Sequence, residues 1–185
     1  NSDHYTPLNQ ITLDNVNQLE VAWQHRSGDY ADGSGEWGFT SLQVTPIQVN
    51  DALYYCSPMG QVFSLNPETG EENWAFDPKV NNKNSGLYPV LCRGVSYWQD
   101  QSADDTLTCS KRILYGTRDA EFLALDANTG KLCADFGNDG KVDLKVGVPG
   151  ADQFPYYPTT PPYISGDMAV IGAMDSDNDS IYVPS

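Results

Sequence analysis

The residues best equipped for chemistry are one arginine, one acidic cluster and a few polar groups at strand ends. Arg93 carries a planar guanidinium fork that suits bidentate binding of a carboxylate, although a surface ion pair is the ordinary use of such a residue. Asp175-Ser176-Asp177-Asn178-Asp179 follows an apolar stretch, Ala169 to Gly172, that reads as a strand. Carboxylates and an amide clustered on a loop are hard oxygen ligands of the kind Ca²⁺ takes; the spacing is not that of an EF-hand loop, and an acidic turn has the same composition. Gln43 and Thr159, taken alone, are polar groups at strand ends. The four cysteines, Cys56, Cys92, Cys109 and Cys133, contain no CxxC pair, which argues against zinc. Cys92 and Cys109 flank a polar insertion, so a Cys92–Cys109 disulfide is expected, contributing about 3 kcal/mol in an oxidising compartment. The Gly-rich run Asp32 to Thr40 lacks the Gly-Lys-Ser/Thr ending of a phosphate loop. His4 and His25 stand in no motif and are expected at the surface, and Lys111-Arg112 is expected to be a solvated pair.

These side chains must be held by a repeat. Gln61 to Phe76 has a second copy at Glu121 to Phe136. Each copy is a short apolar strand, a turn opened by Asn66 or Asp126 and closed by Thr69-Gly70 or Thr129-Gly130, then a second strand. A self-similar unit at fixed period is the signature of a repeat architecture. The first unit is read as strands at Gln43–Val49, Ala52–Cys56, Val62–Leu65 and Asn73–Phe76. The second is read at Arg93–Trp98, Arg112–Tyr115, Phe122–Leu125 and Leu132–Phe136, with its first connection swollen to Gln99–Lys111. Tyr163 to Gly172 matches Ile47 to Cys56 and begins a third unit. Leu19 to Arg26 alternates with period two and reads as an orphan outer strand in which Trp23 takes the place of Trp74; Thr12 or Asp14 is expected to cap a short helical turn before it. No segment carries sustained helical periodicity, so the fold class is all-β, a β-propeller of which about two and a half blades are present. The divisions expected are a lead-in at 1–29, a first blade at 43–78, a second at 90–144 and the start of a third at 157–185. Open blade edges favour aggregation, so the rest of a longer polypeptide, or companion chains, is expected to complete the ring.

The chain has 185 residues and a net charge of −15, which argues against a nucleic-acid backbone or an anionic membrane surface as the main partner. No apolar run approaches the ~20 residues of a membrane helix, and no signal peptide is visible at Asn1-Ser2-Asp3.

The turn motif Leu65 to Trp74 resembles the tryptophan-docking motif of quinoprotein dehydrogenases, enzymes that use pyrroloquinoline quinone (PQQ). Four further passages resemble their membrane-bound glucose dehydrogenase branch: Tyr5–Ile11, Leu91–Tyr97, Asp135–Leu144 and Tyr157–Pro162. The resemblance implies an eight-bladed propeller in the full protein, with each outer-strand Trp docked on the neighbouring blade by stacking and an indole N–H bond. The second copy departs from it, with Ala134 in place of the Trp. The resemblance also implies oxidation of a sugar, polyol or other alcohol by hydride transfer to PQQ, with electrons passed to ubiquinone or a cytochrome. Arg93 matches the cofactor-contacting arginine, while Gln43 and Thr159 match cofactor-facing positions. Cys92 immediately precedes Arg93; in alcohol-oxidising relatives a ring of two adjacent cysteines covers the quinone, and with one Cys here that ring is expected to be absent, replaced by the Cys92–Cys109 bridge. Asp177 and Asn178 match the ligands of Ca²⁺ (or Mg²⁺). Trp98 stands where glucose-type relatives often place His, which leaves the substrate open. The catalytic base is implied to lie in later blades, none of it in this segment, and the location is implied to be periplasmic, with any membrane attachment made elsewhere. A non-enzymatic propeller scaffold of the outer-membrane-assembly kind is the alternative, since such scaffolds share the docking motif. A sugar-binding module without redox chemistry is a further one.

Overall fold

In the computed structural model, residues 7–81, 89–153 and 155–174 are described. Two four-stranded antiparallel sheets dominate. The first runs in sequence order through β1 (Ile47–Val49), β2 (Ala52–Cys56), β3 (Val62–Leu65) and β4 (Glu72–Phe76). The second runs through β5 (Ser96–Gln99), β6 (Lys111–Gly116), β7 (Glu121–Asp126) and β8 (Lys141–Asp143). A two-residue strand, β9 (Tyr157–Pro158), pairs with β12 (Ala173–Met174), and β10 (Tyr163–Ser165) forms a hairpin with β11 (Met168–Val170). The matched hairpins close alike, through positive φ at Asn50 (53°) and Gly166 (57°).

Period-two alternation sorts the sheet residues into layers. Tyr54, Cys56 and Val62 face Ile113, Tyr115, Leu123 and Leu125 across the main core, between the two sheets. Two phenols tie that interface: the Tyr54 hydroxyl donates to the Ala127 carbonyl at 3.1 Å, and the Tyr115 hydroxyl to Gly60 at 3.1 Å. Tyr55, Phe63 and Leu65 point the other way, onto Trp23. Leu114, Phe122 and Ala124 point away from the main core toward Ile164 and Ile171 of the third unit. The sheets therefore stack face to face in chain order, as blades do.

The repeated turns are where neighbours lock. Asn66 Oδ1 accepts the Glu68 and Thr69 N–H groups at 2.8 and 3.1 Å. Asp126 Oδ1 accepts those of Asn128 and Thr129 at 3.1 and 2.9 Å. The turn carbonyl so exposed takes an indole from the preceding unit: Trp23 Nε1 donates to Pro67 at 3.0 Å, and Trp74 Nε1 to Ala127 at 2.9 Å. The closing glycines have φ of 74° and 70°, and a Cβ on Gly70 or Gly130 would fall 2.6 Å from the Trp23 or Trp74 ring. Gly130→Ala is therefore expected to combine backbone strain with an undocked Trp74. A loss of about 2–4 kcal/mol in urea unfolding, with red-shifted Trp emission, is the expected result.

Several local expectations need correction. Leu19 to Arg26 is not a strand, because no neighbouring chain among the described residues pairs with its backbone; Trp23 docks nonetheless. Leu132 to Phe136 is not the fourth strand. Leu132 makes one bridge to Leu125, Phe136 N–H then turns back to Cys133 O at 2.9 Å, and β8 takes the fourth place. The turn before Leu19 is a 3₁₀ turn, Val16–Gln18, and neither Thr12 nor Asp14 caps it by a side chain; Asn15 Oδ1 instead accepts the Thr12 N–H at 2.7 Å. Strands β1 and β5 begin later than expected, so Gln43 and Arg93 precede them on irregular backbone.

His25 is not a surface residue. Its imidazole side chain is 10% exposed, bridging the Tyr55 hydroxyl at 2.6 Å and Glu72 Oε1 at 2.7 Å. Burial pushes the Tyr55 phenol up to about 12, which keeps it neutral beside that carboxylate. Lys111 and Arg112 are not a solvated pair either: they sit against Asp105 and Asp135, and Arg112 lies over the Trp98 ring at 5.2 Å.

Candidate cofactor wall

Three backbone segments, one from the start of each unit, converge on one edge of the stack. Thr40 bridges Val90 in parallel, Ser41 N–H donates to Val90 O at 3.0 Å, and Thr45 N–H donates to Arg93 O at 3.0 Å. The third segment arrives through Ser96, whose hydroxyl bonds the Pro162 carbonyl. Pro158 lies so close to Gly116 that a Cβ there would fall 2.4 Å from Pro158 Cγ. Leu91, Cys92, Arg93, Thr117, Arg118 and Thr159 line the recess left between these segments.

Two of the expected cofactor residues meet. Arg93 Nη1 donates to Thr159 Oγ1 at 3.4 Å, across 66 positions of sequence. Arg93 is exposed and, among the described residues, holds no carboxylate. An exposed guanidinium can pair with a carboxylate through two parallel N–H donors. Gln43 does not join the pair: its amide donates to Ser41 Oγ at 3.1 Å, on the neighbouring segment. Asp177 and Asn178 lie outside the described residues.

Cys92 is bonded to Cys56, not to Cys109, with Cα atoms 5.9 Å apart; Cys109 pairs with Cys133. The insertion Gln99–Lys111 folds back outward, where Asp126 Oδ2 accepts the Cys109 N–H at 2.6 Å. That places Cys109 in the core with Leu114, Phe122 and Cys133, while Cys92 packs against the main core. The Cys56–Cys92 bridge instead ties the end of β2 to the segment bearing Arg93. Among the described residues, one cluster places potential metal-ligating atoms together, Cys109, Cys133 and Asp135, and its two sulfurs are consumed by their disulfide.

Sequence reasoning missed Arg118. It is 5% exposed, and its guanidinium carbon lies 4.6 Å from the centroid of the Tyr157 ring. Nothing in the motif around it marks a basic residue that folds inward.

Comparisons with known proteins agree with this fold. The family model for PQQ, the glucose/ethanol/alcohol dehydrogenase β-propeller domain, matches residues 1–185. Quinoprotein glucose dehydrogenase A of Acinetobacter calcoaceticus is 35% identical over 192 aligned residues, covering 98% of this chain and 24% of that protein. The glycerol dehydrogenase large subunit of Gluconobacter oxydans is 37% identical over 171, covering 90% and 22%. The chain thus spans about a quarter of the length of the curated relatives it matches. Among solved structures, the quinohemoprotein alcohol dehydrogenase of Comamonas testosteroni superposes with a TM-score of 0.68 at 24% identity, over 92% of this chain and 21% of its own, a likeness of fold.

Proposed function

We propose, from the premise that this chain belongs to the PQQ glucose/ethanol/alcohol dehydrogenase β-propeller family, that it builds one wall of the cofactor hub in a dehydrogenase of sugars, polyols or other alcohols. The observation that carries the reading is Arg93, an exposed guanidinium without a carboxylate among the described residues, hydrogen-bonded to Thr159 from the next unit. PQQ is a flat tricarboxylate, and when bound it supplies the hydride acceptor. Arg93 is the group for one of its carboxylates, Thr159 orients that arginine, and Gln43 is the group proposed for the ring edge. Cys92 contributes through its bridge, which fixes the backbone before Arg93. Asp177 and Asn178 are the ligands proposed for a divalent cation, Ca²⁺ or Mg²⁺, by the affinity of a carboxylate and an amide oxygen for hard ions. The base that accepts the substrate hydroxyl proton belongs to blades beyond these residues. Electrons then pass to ubiquinone or a cytochrome, in the periplasm; the two disulfides support an oxidising compartment.

The test is reconstitution. Full-length protein given PQQ and Ca²⁺ is expected to reduce an artificial electron-accepting dye with sugars or alcohols, and to lose that activity with a chelator. A propeller scaffold would reduce no dye under any loading, and a plain sugar-binding module would bind its ligand equally well without quinone.

A further inference from the structure

Burying a guanidinium is costly in desolvation, and where packing is the sole need an apolar side chain serves at least as well. Arg118 is nonetheless 5% exposed, on the turn between β6 and β7. Alongside its other interactions its cation lies 4.6 Å from the centroid of Tyr157, itself 2% exposed. A desolvated cation over an aromatic face is the strong form of that contact. The last residue of β6, just before that turn, meets the next residue of β9 as well: Gly116 leaves room for the Pro158 ring, which a Cβ at 2.4 Å would displace. On its far side β9 pairs with β12, Pro158 opposite Ala173 and Tyr157 opposite Met174. The residue that follows Pro158 is Thr159, which receives the Arg93 hydrogen bond. The end of β6 and the turn after it therefore pack against both residues of β9, directly before Thr159.

We infer that Arg118 is a positioning residue for the hub recess: its guanidinium, stacked on Tyr157, fixes β9 so that the Thr159 hydroxyl meets the Arg93 guanidinium. The inference rests on the reading of Arg93 and Thr159 as the cofactor wall. It assigns Arg118 no contact with the cofactor; the residue acts through Thr159.

The experiment is a titration of full-length apoprotein with PQQ, followed by quenching of intrinsic Trp emission, with urea unfolding of the same apoprotein. Arg118→Met keeps the length and removes the charge. It is expected to raise the dissociation constant about tenfold while leaving the urea midpoint nearly unchanged. Arg118→Lys, which keeps a cation, is expected to fall between wild type and Arg118→Met. Because Arg118 acts through Thr159, the double variant Arg118→Met/Thr159→Ala is expected to bind no more weakly than Thr159→Ala alone. A lowered midpoint with unchanged affinity, or two affinity losses that multiply, overturns the inference in favour of plain core packing. Tyr157→Leu makes the same prediction from the other partner, and decides the matter if Arg118→Met does not fold. Unchanged affinity in Arg93→Ala as well overturns the cofactor wall and this inference together. Unchanged affinity in the Arg118 and Tyr157 variants alone overturns only the latter.

Discussion

Arg93→Ala in the full-length protein is expected to weaken PQQ binding about 100-fold, because a charge-assisted pair to a carboxylate in a partly desolvated site is lost and that carboxylate stays buried without its partner. Arg93→Lys is expected to recover part of this, leaving a deficit of about tenfold: an ammonium keeps the charge but cannot offer two parallel N–H donors or hold the Thr159 hydroxyl from the same angle. Equilibrium titration of the apoprotein reads both variants. Arg93 is exposed and closes no ion pair among the described residues, so neither change should shift the unfolding midpoint by much. A variant that loses stability and retains affinity would make Arg93 a structural residue and remove the main support for the cofactor wall.

The second large effect is expected from the Cys56–Cys92 bridge. Its cysteines are 36 positions apart, so removing it in Cys56→Ser/Cys92→Ser releases chain entropy worth about 4 kcal/mol in the unfolded state. It also frees the Arg93 segment, leaving it held to the first unit by backbone bonds such as those from Ser41 N–H to Val90 O and from Thr45 N–H to Arg93 O, both 3.0 Å. Stability and PQQ affinity should therefore fall together. The Cys109–Cys133 bridge, with a separation of 24, is a built-in control. Cys109→Ser/Cys133→Ser is expected to cost about 3 kcal/mol and to leave PQQ affinity unchanged. Non-reducing peptide mapping should recover Cys56 with Cys92 and Cys109 with Cys133; a Cys92–Cys109 peptide would contradict the arrangement.

That pairing shows where sequence stops. Cys92 and Cys109 flank one insertion, and proximity along the chain made them the natural partners. Which sulfurs meet depends on the face each strand presents and on which blade lies against it. Cys56 alternates with Tyr55 on β2, so it points into the interface between the two sheets, where the segment before β5 enters. Cys109 packs in the other core, with Leu114, Phe122 and Cys133, where its N–H bonds the buried Asp126 carboxylate that also builds the neighbouring turn. His25 is a similar case. No motif surrounds it, yet its two ring nitrogens fit between Tyr55 and Glu72 because Trp23 docking lays the lead-in over the first sheet. The shifted fourth strand of the second unit has a local cause: Cys133 is tied to Cys109, and the chain reverses through Gly137, Asp139 and Gly140 with φ of 57°, 50° and 90° before pairing resumes.

The two indole docks were legible through motifs tied to a known family; sequence by itself determined the all-β repeat and the order of its strands, apart from the fourth strand of the second unit. Each depends on short-range rules: alternation with period two, an Asx residue opening a turn, and a glycine where φ must be positive. It also singled out Arg93 and Thr159, through motifs tied to a known family. Only the tertiary structure decided that these two residues touch, that the disulfide beside them joins two blades, and that Arg118 turns inward onto Tyr157. Contacts of that kind join positions tens of residues apart, and they are fixed by the stacking of one sheet on the next, to which no local periodicity responds.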